Sequence, residues 1–148
     1  MVYDVDLRRA ERERVLTLLY QAEIRATSPI QILDNLDVSE SEFVIERIRG
    51  IADNLSGIDD LINNASKGWP VERMPLIDRC LLRFGAYETA YLVDFPRGVA
   101  ISEAVELAKQ FSTSESGRFI NGVLSGIVNA LPSTPQKRRW QPSSRVSG

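Results

Sequence analysis

Apolar residues recur along this chain at intervals of three and four, and almost nowhere do they alternate with polar ones. Three-four spacing puts side chains on one face of an α-helix, whereas alternation would make a strand. Val15, Leu18, Leu19 and Ala22 carry the pattern in a first helix expected from about Leu7 to Ala26. Ser28-Pro29-Ile30-Gln31 then starts a short second helix, ending near Asn35. Its serine can cap, its proline suits the first helical position and its glutamine can reach back to the cap. Ser39 and Glu42 form a second capping box, ahead of a helix with Val44, Ile48, Ile51 and Leu55 on one stripe. Gly57 is expected to break that helix. A short one with Ile58, Leu61, Ile62 and Ala65 follows and ends near Gly68; Trp69-Pro70 then turns the chain into a single helical turn through Met74.

Pro75 opens the most apolar helix, with Ile77, Cys80, Leu81, Phe84 and Tyr91 on one face and Leu82 and Tyr87 widening it. So wide an apolar face places it at the centre of the fold. Asp94-Phe95-Pro96 closes it. The next helix carries Ile101, Ala104, Val105, Ala108 and Phe111, and Ser112 with Glu115 is a third capping box. Ile120, Val123, Leu124, Ile127, Val128 and Leu131 mark the last helix, which Pro132 ends. Helical period runs through Asn121-Gly122, so Gly122 reads as a place where another helix or a ligand comes close. The class is all-α, with about seven helices and no repeat of the length that builds a solenoid.

At 148 residues the chain is one domain's length and can bury a core without disulfide or metal. Its net charge of −2 hides an asymmetry. Residues 1–131 hold 14 Lys+Arg and all 20 Asp+Glu, hence −6, whereas residues 132–148 hold Lys137, Arg138, Arg139 and Arg145 without an acid, hence +4. The division expected is a helical domain over 1–131 and a disordered basic tail over 132–148, in which Trp140 is almost the one residue with anything to bury. A second basic cluster opens the first helix, where Arg8, Arg9, Arg12 and Arg14 are interspersed with Glu11 and Glu13.

With no histidine and one cysteine, the chain cannot build a structural zinc site or use a histidine base. There is no P-loop and no dinucleotide-binding turn. Asp59-Asp60 and the pair Glu103 and Glu106 read as exposed helix positions, and Cys80 as a packing residue on the apolar stripe. No cofactor, no metal and no catalytic residue are expected. No apolar run reaches the roughly 18 residues of a membrane span, and a reducing cytoplasm suits the lone thiol.

Four segments in order carry a resemblance. Leu18-Leu19-Tyr20-Gln21 closes the arginine-bearing helix. Asp78-Arg79-Cys80-Leu81-Leu82-Arg83 precedes Ala86-Tyr87-Glu88. Val99 to Lys109 reads VAISEAVELAK, and Arg118 to Leu124 reads RFINGVL. In this order and spacing the chain resembles the NusB family of transcription antitermination factors, over about Leu7 to Leu131. The resemblance implies two packed helical sub-bundles. It implies binding to the single-stranded boxA element of ribosomal RNA leader transcripts, a heterodimer with the small-subunit ribosomal protein NusE, and assembly on elongating RNA polymerase with other Nus factors.

Carried onto this sequence, Arg8, Arg9 and Arg12 match the family's arginine-rich start and would hold RNA phosphates. Arg118, Phe119 and Asn121 match its motif before the last helix. There Phe119 could stack on an unpaired base or, at its spacing from Val123, pack into the core, and Asn121 could hydrogen-bond a base edge, as single-stranded RNA is usually read. Tyr20, Tyr87 and Glu88 match positions near the protein-partner surface; the other reading of the two tyrosines is helix packing with the hydroxyl at the rim. Asp4, Asp6, Glu11 and Glu13 depart from the family's denser basic start. Two other readings stay open: a helical protein-interaction or rRNA-processing module without RNA selectivity, and the NusB-like module fused to rRNA cytosine methyltransferases, which needs a catalytic domain after residue 148. Family members include dimers and monomers, and no register here decides between them.

Overall fold

A computed structural model describes residues 5–132, with side chains from residue 8 onward. The expected basic tail falls outside the described residues except for Pro132. Among those described there are seven α-helices, one short 3-10 turn and no strand. They are α1 (Val5–Arg25), α2 (Pro29–Asp34), α3 (Glu42–Asp53), α4 (Leu55–Ala65), the 3-10 turn Val71–Arg73, α5 (Leu76–Tyr91), α6 (Arg97–Phe111) and α7 (Ser114–Ala130).

The helices begin and end for local reasons. Ser28 Oγ accepts the Ile30 N–H at 3.1 Å, capping α2 as its sequence implies. The cap of α3 is Ser41, which accepts from the Val44 N–H at 3.3 Å, two residues beyond the expected Ser39. Thr113, not Ser112, caps α7, accepting from the Ser116 N–H at 3.0 Å. Helix α1 ends where Ala26 turns left-handed, with Thr27 N–H reaching the Ala22 carbonyl at 3.0 Å and Ala26 N–H the Glu23 carbonyl at 3.2 Å.

Helices α1, α2 and α3 pack on one another, α4, α6 and α7 pack around α5, and α5 touches both groups. Its central place shows in burial: Cys80, Leu81, Leu82, Phe84, Ala86 and Tyr87 all lie in the core. Two glycine expectations are corrected. Gly57 does not end a helix; it sits inside α4, where a Cβ would come 2.4 Å from the Tyr91 hydroxyl. The α3–α4 break falls instead at Asn54, whose Nδ2 donates to the Gly50 carbonyl at 2.8 Å. No helix approaches Gly122, where a Cβ would find nothing within 4 Å. The close approaches are at Gly50, against Tyr87, and Gly85, against Leu124.

Candidate nucleic-acid interface

The arginines of α1 divide by what they touch. Arg9 is exposed. Arg8 is half-buried, donates to Glu11 at 2.6 Å and lays its guanidinium 4.5 Å from the Phe43 ring centre. Arg14 pairs with Glu40 at 2.8 Å. Arg12 is 1% exposed. Its Nη1 donates to Glu88 at 2.9 Å and its Nη2 to the other oxygen of the same carboxylate. Arg47 Nε completes the cluster on Glu88 at 2.7 Å, and Arg47 also pairs with Glu46. Phe84 lies 4.5 Å from the Arg12 guanidinium, and Phe43 and Phe95 lie 4.2 and 5.1 Å from that of Arg47. Carboxylates and ring faces together replace the water these two cations lose.

This placement corrects three expected contacts. Arg12 is bonded inward to Glu88, and its one donor without a hydrogen bond, Nε, is buried as well, so no phosphate reaches it. Glu88 and Tyr87 are both 0% exposed, so neither presents a surface to a protein partner. Tyr87 gives its hydroxyl proton to Glu46 beneath Gly50. The sequence held a signal for Arg12: it lies three, four and seven residues before Val15, Leu16 and Leu19, on the buried stripe of α1. Tyr20, 37% exposed, stays at the surface of the same helix, with Ile24 exposed one turn on.

The second set stands on α7. Arg118 and Asn121 are exposed and one turn apart on one face. Phe119 is half-buried against Trp69, with ring centres 5.0 Å apart and planes tilted by 52°. In the sequence Trp69, followed by Pro70, carries only a turn signal. It is 42% exposed and is held where it is by the loop before it. Lys67 and Gly68 take left-handed backbone there, and Ser66 Oγ donates to the Trp69 carbonyl at 2.7 Å. Gly122 follows Arg118 by four residues and Phe119 by three, so its bare backbone lies beside both.

The two sets are linked through α6. Gln110, three residues ahead of the α7 cap, donates to Glu13 of α1 at 3.3 Å. Ser116 in the first turn of α7 donates to Asp78 at 3.2 Å. Burial raises the Asp78 pKa, and that hydrogen bond partly opposes the shift.

Elsewhere the charged groups hold helices together. Arg79 and Arg83 of α5 both bind Glu23 of α1, at 2.6 and 3.0 Å, and Arg83 Nε and Nη2 grip both oxygens of Asp59 at 2.9 Å. Glu103 faces Arg12 Nε at 3.8 Å, and Glu106 pairs with Lys109. The Cys80 thiol is pushed up to about 12, first by burial and then by Glu23, against the smaller pull of Arg83 and Arg79. Among the described residues no group of three His, Cys, Asp or Glu could hold a metal ion, and no helix is long and apolar enough to cross a membrane.

The sequence matches the NusB family over residues 9–129. The chain belongs to the NusB family. It is 39% identical over 125 residues to the transcription antitermination protein NusB of Kineococcus radiotolerans, covering 82% of this chain and 92% of that protein. To NusB of Acetivibrio thermocellus it is 40% identical over 127 residues, covering 82% and 88%. Among solved structures, T. maritima NusB is similar with a TM-score of 0.75 at 38% identity, over 90% of this chain and 96% of that one. A chain in the crystal structure of antitermination factors NusB and NusE in complex with dsRNA shares the fold, with a TM-score of 0.71 at 23% identity over 84% and 97%. Arg9, Arg118, Phe119 and Asn121 fall inside the NusB match, and Arg8 lies one residue before it.

Proposed function

We propose that this NusB family member is a transcription antitermination factor that binds single-stranded boxA leader RNA of ribosomal RNA operons together with NusE. In that complex it acts on elongating RNA polymerase, with other Nus factors, in the cytoplasm. The observation that carries this reading is identity near 40% to NusB proteins across 82% of the chain. The surface supports it. Arg8, Arg9 and Arg118 supply cations for phosphates, the Phe119–Trp69 pair offers ring faces to an unstacked base, and Asn121 offers an amide to a base edge. Tyr20 remains the residue for NusE. The chain acts by binding and not by catalysis: Cys80 is buried and held protonated, and the carboxylates Asp59 and Glu103 are committed to arginines.

The test is a purified transcription reaction with a terminator downstream of boxA. Added with NusE and the other Nus factors, the chain raises read-through, and scrambling boxA abolishes the gain. Equal read-through with and without the chain would reject the proposal.

A further inference from the structure

From Arg8 to Arg14, Arg12 is the single buried side chain. The turns of α1 that carry Arg8 and Arg9 are therefore tied to the body through Arg12 on Glu88, with half-buried Arg14 on Glu40 beside it. Phe43 extends this tie outward. The guanidinium of Arg8 lies 4.5 Å from its ring centre and that of Arg47 lies 4.2 Å from it, while Arg47 is bonded to the Glu88 that holds Arg12. One ring thus joins the half-buried Arg8 cation to a buried cluster drawn from α1, α3 and α5. A buried ion cluster adds little net stability over apolar side chains filling the same volume. What this one does supply is a fixed direction for the start of α1.

We infer that the Arg12–Glu88–Arg47 cluster, with Phe43 as its outer face, is the device that sets Arg8 and Arg9 in position to bind RNA phosphates. This rests on the RNA-binding reading above. Phe43 and Glu88 are positioning residues: they act through Arg8 and Arg12 and touch no RNA themselves.

The experiment is a fluorescence anisotropy titration of labelled boxA RNA with the full chain and NusE, at several salt concentrations. Phe43→Leu keeps apolar bulk and removes the ring face. It is expected to weaken binding about three- to tenfold, the worth of one partly exposed cation–ring contact. The slope of log affinity against log salt falls by about 0.7, one phosphate contact on a single strand. Arg8→Ala gives a similar loss, and Phe43→Leu adds nothing on top of it. Phe43→Tyr restores binding. A merely structural role for Phe43 would instead make the two losses additive and leave the slope unchanged, and that result overturns the inference. So does a Phe43→Leu protein that binds as wild type does. If wild type itself binds boxA no better than scrambled RNA, the functional reading falls and takes this inference with it. Glu88→Gln extends the series if it folds; the Phe43 set decides the matter without it.

Discussion

Adding one methyl group to a helical glycine should have opposite effects at two positions in this fold. At Gly50, in the middle region of α3, a Cβ would sit 2.0 Å from the Tyr87 hydroxyl oxygen and 2.2 Å from the ring carbon bearing it. Tyr87 is fully buried and its hydroxyl is committed to Glu46, so it has no free direction in which to retreat. Gly50→Ala gains about 1 kcal/mol of helix propensity. Against that stand about 1–3 kcal/mol of overpacking and about 1.5–3 kcal/mol for a lost hydrogen bond to a charged group. The net is a destabilisation of about 1.5–5 kcal/mol, or roughly 5–15 °C in Tm for a chain of this size. At Gly122 nothing lies within 4 Å, and Gly122→Ala keeps only the propensity gain. It should be stabilised by about 1 kcal/mol. Thermal melts followed by far-UV circular dichroism, checked by urea titration, measure both. A Gly50→Ala protein as stable as wild type would show that Tyr87 is not packed as described. A destabilised Gly122→Ala would show that something does press on that position.

The same Gly122→Ala variant, although more stable, should bind boxA RNA more weakly if bare backbone there admits the RNA; unchanged affinity would remove Gly122 from the interface. Arg118→Ala should leave stability within about 0.5 kcal/mol, because the side chain is exposed, while the salt slope of RNA binding falls by about 0.7. Cys80, with its thiol pushed up to about 12 and 1% exposed, should resist iodoacetamide at pH 8 in the folded protein and react once urea unfolds it; rapid native labelling would contradict that burial. Asp78 has a raised pKa, so the folded state holds its proton more tightly than the unfolded state does. Stability is therefore lost as pH rises from the unfolded value of 3.8 through the folded one. The stability of Asp78→Asn relative to wild type should grow from acid toward neutral pH and then level off, and a difference that does not change with pH would refute the shift.

The helices were legible because each must bury a stripe, and the stripe is written locally in three-four spacing. Central α5 was legible for the same reason: its apolar face is the widest. Caps were legible only to within a residue or two, since Ser39 and Ser41 both satisfy the pattern and the chain's path into α3 chooses between them. Glycine roles were not legible. Whether Gly50, Gly57 or Gly122 meets a neighbour depends on α5 and its tyrosines, which sequence spacing does not place. Of the candidate site residues, the exposure of Arg9, Arg118 and Asn121 was legible, since each lies off the apolar stripe of its helix. Arg12 lies on the apolar stripe of α1, but its burial depends on Glu88, 76 positions away, and spacing along the chain does not show that pairing. The role of Trp69 was not legible because it lies in a loop and its neighbour Phe119 is on α7, 50 positions away.

The proposal that this surface reads boxA is tested most directly by titrating boxA RNA and a scrambled control of equal length into the chain, with and without NusE, at two salt concentrations. Tighter binding to boxA than to the control, strengthened by NusE and weakened by salt, is the expected result. Equal affinity for the two RNAs under all conditions, with NusE still bound, would contradict it and leave a NusB-fold protein whose work is done through protein contacts alone.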